Sequence, residues 1–287
     1  MRSAEKLTSS FAYHGEGPFW DWRGQRLLCM DVFAGTVVAA DSVGDLQYYP
    51  VPTKVTTVIR SRSGAGFVIA TESGLILADE ALSEFTPLAE IIDDPSLRTN
   101  DGSCDPFGAF IIGTMAYSEE PGRGAVYRVA PDGEVSEILA PVSISNGVQF
   151  SGDRARVFYI DTPTRRVDAF DIDPRTGAWS NRRTHINMDG AGGFPDGMAI
   201  DEDDGLWIAL WGGGRVNHYD KNGRFVEAIT VPGVSQVSAC TFGGAERNLL
   251  YITTSRYGMR AEEEPSAGAV FVTETSVRGA EVGEFAG

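Results

Sequence analysis

The chain has 287 residues and a formal net charge of −16, from 24 Lys and Arg against 40 Asp and Glu. An acidic surface of this size repels phosphate backbones and anionic lipid, which argues against nucleic acid and membrane surfaces as partners. Hydrophobic residues make up 42% of the chain and there are 34 glycines. This composition is typical of a folded protein in which tight turns join many short strands.

Cysteine usage and the N-terminal segment bear on the compartment. Cys29, Cys104 and Cys240 are far apart, odd in number and form no CxxC pair, so neither a disulfide framework nor a thiolate zinc site is predicted. Residues 1–6 lack the apolar core of a signal peptide, and no stretch approaches the roughly 18 apolar residues of a membrane span. We therefore expect a cytoplasmic protein, as a monomer or a weak homo-oligomer.

A repeated unit runs along the chain: an apolar strand-like run, a turn with Gly or an acidic residue, and a second apolar run. The six turns lie at Gly24, Gly64, Gly108, Asp153, Asp204 and Glu246. A spacing of roughly 40–50 residues is the period of β-propeller blades. We predict an all-β fold in which residues 1–287 form one six-bladed β-propeller domain. Gly268–Thr273 and Leu7–Phe11 are the candidates for the late and closing strands of the last blade.

Each repeat carries a polar residue seven or eight positions before its turn. These residues are Glu16, Thr56, Asn100, Asn146, Asp196 and Ser238. Because the innermost strand of each propeller blade lines the central channel, equivalent positions form a ring at one mouth. Two carboxylates and two amide oxygens in that ring would suit a hard cation such as Ca²⁺, Mg²⁺ or Mn²⁺. A single Asn-Gly or Asp-Gly pair is more often a tight turn, but recurrence at one repeat position indicates a built site.

The sequence around these positions resembles the senescence marker protein/gluconolactonase family, to which regucalcin-like proteins belong. The matching motifs are Gly15–Trp20, Arg98–Gly102, Gly113–Met115, Ser145–Gly147, Pro195–Met198, Leu206–Ala209, Gly213–Val216 and Cys240–Gly244. The resemblance extends over nearly the whole chain. It implies a six-bladed propeller with one divalent metal ion in its channel, Ca²⁺ first and Zn²⁺, Mn²⁺ or Mg²⁺ as alternatives.

The resemblance also implies an activity, the hydrolysis of a small sugar lactone of the gluconolactone type to its aldonic acid. It assigns Glu16, Asn146 and Asp196 as metal ligands, and Arg98 and Asn100 as substrate contacts. We hypothesise that Asp196 is also the general base, since a carboxylate near a polarised water moves a proton only a short way.

One departure from the family pattern concerns substrate recognition. The family's regucalcin branch has an acidic substrate contact after the Gly-Thr-Met motif, where this chain has Ser118 followed by Glu119. Both residues are therefore candidate substrate contacts. Trp211 could stack on a sugar face or pack between blades, and the sequence does not fix the direction of His14.

Two other classes of function stay open. The first is a calcium-dependent aryl esterase or organophosphate hydrolase on the same fold, which a second calcium and a catalytic His would favour; His185 and His218 lie outside the ring positions. The second is a non-catalytic, calcium-binding regulatory protein. Measurable lactone hydrolysis separates the enzyme classes from the regulatory one.

Overall fold

Short apolar runs joined by tight turns pair as antiparallel strands in chain order, because a short turn returns the chain beside itself. The computed structural model describes residues 2–287. Each of the six predicted turns lies between the first two strands of its own sheet. The strands are β1 Arg2–Ser3, β2 Glu5–Lys6, β3 Gly15–Asp21, β4 Arg26–Asp31, β5 Thr36–Ala40, β6 Leu46–Pro50, β7 Thr56–Ser61, β8 Phe67–Thr71, β9 Gly74–Ala78, β10 Phe85–Glu90, β11 Leu97–Cys104, β12 Phe110–Ala116, β13 Gly124–Val129, β14 Val135–Val142, β15 Ser145–Phe150, β16 Arg156–Asp161, β17 Arg166–Ile172, β18 Trp179–Asn187, β19 Phe194–Ile200, β20 Leu206–Trp211, β21 Arg215–Tyr219, β22 Phe225–Thr230, β23 Val237–Gly243, β24 Leu249–Thr254 and β25 Val270–Glu274. Two short 3₁₀ turns cover Val32–Ala34 and Thr162–Thr164.

The strands form six sheets, each of which is one propeller blade. Blades 1 to 4 are β3–β6, β7–β10, β11–β14 and β15–β18, blade 5 is β19–β22 with β1, and blade 6 is β23–β25 with β2. The first strand of each blade contacts the first strands of both neighbouring blades, so β3, β7, β11, β15, β19 and β23 make a closed ring. The predicted six-bladed β-propeller is confirmed. Within residues 2–287, no helix has the length and apolar character needed to cross a membrane.

The N-terminal segment joins the last two blades. β1 pairs parallel with β22 of blade 5, and β2 pairs antiparallel with β25 of blade 6. The closing strand is therefore β2, upstream of the expected Leu7–Phe11. That stretch continues along the same edge, where the N–H groups of Leu7 and Phe11 donate to the carbonyl oxygens of Val270 and Gly268, at 2.9 and 3.0 Å.

Six apolar clusters lie between adjacent blades and account for the core. At the seam between blades 6 and 1, Trp20 stacks on Tyr251 with ring centroids 5.2 Å apart. Each blade buries apolar side chains on both faces, which explains why its central strands are continuous apolar runs.

A β-bulge interrupts the first strand of every blade at the predicted polar position. The pairing register shifts between Glu16 and Phe19, Thr56 and Val58, Thr99 and Gly102, Asn146 and Val148, Pro195 and Met198, and Val237 and Ala239. A bulge releases residues from the ladder and re-aims their side chains. The glycine after Glu16 allows the backbones of two neighbouring blades to approach closely. A Cβ on Gly17, whose φ is +54°, would lie 2.3 Å from the carbonyl oxygen of Thr57.

Candidate metal and substrate site

The bulges of four blades open into one cavity of about 350 Å³ at a mouth of the ring. Glu16, Asn100, Asn146 and Asp196 line it, as the repeat position predicts. Thr56 and Ser238 do not line this cavity, contrary to the expected ring of six. Their hydroxyl groups donate to backbone carbonyl oxygens instead, Thr56 to Ala70 at 3.2 Å and Ser238 to Gly15 at 2.6 Å.

The carboxyl groups of Asp196, which is buried, and Glu16, which is half-buried, dominate the electrostatics of the cavity base. Burial, followed by the charge of Asp101, raises the pKa of Glu16 to about 8. Burial and the neighbouring Glu16 raise the pKa of Asp196 well above its ordinary value. The positive charge of Arg98 lowers both pKa values only in part. Two neighbouring acids with too little positive charge beside them repel each other, and a bound cation would relieve that repulsion.

Asp101 is a third acid beside Glu16, Asn100 and Asn146, half-buried and not singled out in the sequence. The bulge between Thr99 and Gly102 frees both Asn100 and Asp101 from the ladder. Burial raises the pKa of Asp101, while the charge of Arg60 opposes that rise. The guanidinium of Arg60 is itself buried and donates to the carbonyl oxygens of Ile59 and Gly102.

The amide groups of Asn146 and Asn100 are oriented by a chain of hydrogen bonds. The Asn146 amide nitrogen donates to Thr162 Oγ1 at 2.8 Å, which turns its carbonyl oxygen toward Asn100. Asn100 Nδ2 donates to that oxygen at 3.0 Å and to the Ser145 carbonyl at 2.8 Å. Asn100 Oδ1 in turn accepts from Arg98 Nη1 at 2.6 Å. Arg98 and Asn100 are therefore paired, as expected, and both line the cavity.

Two repeated aspartates hold the loops that lead into the ligand strands. Asp31 Oδ1 accepts the backbone N–H groups of Tyr13 and His14, just before β3. Asp161 accepts those of Ser143 and Ile144 in the same way before β15. The 3₁₀ turn that follows each aspartate also reaches the cavity. These bonds fix the approach to Glu16 and Asn146.

The structure separates the two candidates for the acidic substrate contact. Glu119 lines the cavity, with a left-handed backbone of φ +58°. Ser118 is exposed and does not line the cavity. Tyr117, which precedes them, lines the cavity and donates from its hydroxyl to Glu72 Oε1 at 2.6 Å.

The positions of Glu119 and Ser118 predict that substitutions at these two residues differ in their effect on KM. Glu119→Gln removes a charge that lines the cavity and is expected to raise KM about fivefold, since a hydrogen bond to a charged group contributes about 1.5–3 kcal/mol at most. Ser118→Ala is expected to leave kcat and KM within about twofold, because its side chain faces solvent. Steady-state kinetics on both variants checks this. A larger effect of Ser118→Ala would reverse the assignment.

One side of the cavity is an aromatic wall formed by His14, Phe33, Trp211 and Tyr257. Phe33 stacks on His14 and on Tyr257 with centroid distances of 5.6 and 5.4 Å, and Trp211 meets His14 edge-on at 5.7 Å. His14 Nδ1 also lies 2.8 Å from Ser255 Oγ. Burial, reinforced by the charge of Arg98, lowers the pKa of His14 to about 3, so its imidazole is neutral at pH 7.

The profile of the SMP-30/Gluconolactonase/LRE-like region matches residues 14–256 of this chain. The chain belongs to this family. Regucalcin of Danio rerio is 36% identical over 273 residues, which cover 92% of each chain. A Bacillus subtilis protein described as a candidate sugar lactone lactonase, YvrE, is 32% identical over 280 residues, 95% of each chain. The crystal structure of a calcium-binding regucalcin from Agrobacterium tumefaciens superposes with a TM-score of 0.93 at 29% identity, covering 99% of this chain and 97% of that one.

The family resemblance predicted from the sequence motifs is thereby confirmed. The chain's other two histidines lie away from the cavity: His218 stacks on Trp207 and contacts Asp201 at 3.2 Å, and His185 packs on Phe158.

The donor set of the cavity base fits a hard divalent cation. Within residues 2–287 no group of three or more His, Cys, Asp or Glu side chains is placed to hold a metal ion. The cavity instead offers the carboxyl groups of Glu16 and Asp196 and the amide oxygen of Asn146. Oxygen donors of this kind suit Ca²⁺ and Mg²⁺. All three cysteines are buried elsewhere, and burial raises the thiol pKa of Cys240 to about 12, so thiolate ligation is disfavoured.

Proposed function

We propose that this protein is a metal-dependent lactonase that opens the ring of a small lactone, with gluconolactone-type sugar lactones as the first substrates to test. The observation that carries the proposal is the base of the cavity. The buried carboxyl group of Asp196 and the half-buried one of Glu16 lie there beside an oriented amide oxygen, with the Arg98–Asn100 pair alongside. Relatives named for sugar lactone hydrolysis or calcium binding support the same reading.

Glu16, Asn146 and Asp196 would hold the ion. A divalent ion bound there would act as a Lewis acid toward the lactone carbonyl and lower the pKa of a nearby water. Three protein ligands are fewer than a Ca²⁺ ion takes, which leaves positions for water and substrate. The fixed direction of the Asn146 amide, set by Thr162, keeps its oxygen facing the cavity.

The protein's own groups complete the reaction. The Asp196 carboxylate accepts a proton from water as the water oxygen attacks the carbonyl carbon. The bond between that carbon and the ring oxygen then breaks. The leaving ring oxygen takes the proton back from Asp196, so the product is an open-chain hydroxy acid and no other reactant is consumed. Arg98 and Glu119 would bind the substrate's polar atoms and orient its ring. Asn100, whose amide atoms have partners within the protein, would hold Arg98 in position.

A panel of lactones crossed with metal ions tests the proposal. Chelator-treated protein is assayed for acid release from D-glucono-1,5-lactone, D-galactono-1,4-lactone and δ-valerolactone, alone and with Ca²⁺, Mg²⁺, Mn²⁺ or Zn²⁺. We expect turnover above spontaneous ring opening only with an added ion. Absence of acceleration for every lactone with every ion would overturn the enzyme assignment. An ion-dependent rise in thermal unfolding temperature without turnover would favour a calcium-binding regulatory protein.

We also propose a cytoplasmic protein that acts on small molecules, as a monomer or weak homo-oligomer, with neither nucleic acid nor membrane as partner. The net charge of −16 and the three free, buried cysteines support this. Sedimentation velocity at several protein concentrations tests the oligomeric state.

A further inference from the structure

Exposed aromatic side chains are concentrated around the mouth of the cavity. Of the eight large apolar side chains that are exposed among residues 2–287, half surround this mouth: Tyr13, Tyr117, Phe194 and Tyr257. Their exposed fractions are 38–40%. Single exposed apolar side chains are ordinary, but a contiguous group beside a cavity marks a binding surface.

The aromatic wall is held in place by contacts among its own rings. Phe33, His14 and Tyr257 pack against one another with centroid distances of 5.4–5.7 Å, and Tyr13 meets Tyr257 edge-on with a centroid distance of 5.7 Å. His14 is anchored by Ser255. A set of rings that is already packed loses little conformational freedom when a ligand arrives, so the wall is a preorganised apolar surface.

Several polar groups that line the cavity already have hydrogen-bond partners within the protein. Both amide atoms of Asn100 are hydrogen-bonded within the protein, and Arg98 Nη1 is shared between Asn100 and the Thr99 carbonyl. Thr162 Oγ1 donates to the Pro195 carbonyl and accepts from Asn146. A hydroxyl that leaves water without finding a partner costs free energy. The ring faces of the aromatic wall offer a hydroxyl no hydrogen-bond partner, so a lactone that carries hydroxyls on the side against the wall is bound less well.

We propose that the aromatic wall selects lactones that carry a flat apolar ring, such as benzo-fused lactones, over lactones decorated with hydroxyls. The substrate's ring lies against Tyr257 and Phe33 while its carbonyl faces Asp196. Contact between aromatic rings adds to the free energy of apolar burial. The inference rests on the proposed lactonase function, because the wall affects turnover only if ring opening occurs at the cavity base.

The kinetic test compares three lactones on the ion-loaded protein: 3,4-dihydrocoumarin, δ-valerolactone and D-glucono-1,5-lactone. Each kcat/KM is divided by the spontaneous hydrolysis rate of that lactone. We expect dihydrocoumarin to exceed δ-valerolactone by about tenfold, and gluconolactone to rank last. Tyr257→Ser is expected to lower the dihydrocoumarin value about fivefold and to change the δ-valerolactone value less than twofold. Tyr48→Ser, at a tyrosine that is 55% exposed on the outer strand β6, is the matched control and should change neither.

A binding test separates failure of this inference from failure of the proposed function. It uses two lactams that resist hydrolysis, 3,4-dihydro-2-quinolinone and δ-valerolactam, measured by calorimetry on the wild-type protein and Tyr257→Ser. Tighter binding of the quinolinone, weakened about fivefold by Tyr257→Ser, supports the wall even if no lactone is turned over. Equal binding of both lactams, or gluconolactone as the best substrate with a uniform loss in Tyr257→Ser, overturns it while the lactonase function stands.

Discussion

The Asp196→Asn variant is expected to lose about 10²–10⁴-fold in kcat/KM for any lactone that the protein hydrolyses. The substitution keeps the size and shape of the side chain but removes the proton acceptor and one charged ligand. General bases contribute rate factors of this size. Stopped assays over long times, with the spontaneous rate subtracted, measure the residual activity. Activity within tenfold of the wild-type value would remove Asp196 from the mechanism.

Asp196→Asn, although it lowers activity, is not expected to lower the stability of the ion-free protein. Asp196 is buried beside Glu16 and Asp101, and both of those charges raise its pKa. Without an ion, replacing it with a neutral amide relieves that repulsion, so the thermal unfolding temperature should stay level or rise. With excess ion the wild-type protein gains stability, about 2.7 kcal/mol at an ion concentration of 100 Kd, and Asp196→Asn should gain much less.

Asp201 provides the matched control for this prediction. It is also a buried aspartate, but its carboxylate accepts from Trp207 Nε1, from His218 Nε2 and from the backbone of Gly205. Asp201→Asn places an amide donor among these donors and is expected to cost about 1–3 kcal/mol of stability. Its kcat/KM and its response to metal ions should be unchanged. The two variants thus separate loss of the site from loss of the fold.

The blade period and the polar positions could be predicted because both repeat. Each of the six turns, from Gly24 to Glu246, lies between the first two strands of its blade. The polar residues share a position because each blade has a bulge there, and a bulge repeated six times leaves a regular mark in sequence. Only four of the six predicted ring residues nevertheless line the cavity. The hydroxyl side chains of Thr56 and Ser238 are short and bond to nearby carbonyls, whereas the longer carboxyl and amide groups reach the cavity.

Other parts of the site could not be predicted, because they depend on contacts between blades. Asp101 follows Asn100 and, in an unbulged strand, would point to the opposite face. The aromatic wall gathers His14 and Phe33 from blade 1, Trp211 from the end of β20 in blade 5 and Tyr257 from the loop after β24 in blade 6. No local period links these residues, so only the closed ring shows that they meet. Trp211 lines the cavity and meets His14 edge-on, a placement that the sequence does not fix.

The C-terminal segment closes the opposite end of the ring, and Phe285 is its anchor. The segment contacts the ends of the inner strands that lie away from the cavity. The backbone of Phe285, for example, is hydrogen-bonded to the backbone of Ser61 and Ser63. Gly279 and Ala280 bond to the carbonyl oxygens of Arg247 and Ile200. In blade 3, the N–H group of Ala286 donates to the carbonyl oxygen of Gly108. The C-terminal segment therefore contacts blades 2, 3, 5 and 6. The C-terminal segment thus connects blades that do not belong to the same sheet.

The Phe285→Ala variant is expected to lower the free energy of unfolding by about 3–5 kcal/mol. The side chain is fully buried in the apolar cluster between blades 2 and 3, with Val58, Val68 and Phe110, and its loss leaves a cavity at a blade seam. Urea unfolding measures the change. Phe225→Ala, at a phenylalanine that is 58% exposed, is the control and should shift the free energy by less than about 0.5 kcal/mol. Because the tail lies opposite the mouth, folded Phe285→Ala should keep its kcat/KM. Equal destabilisation by the two variants would mean that the tail does not fasten the ring.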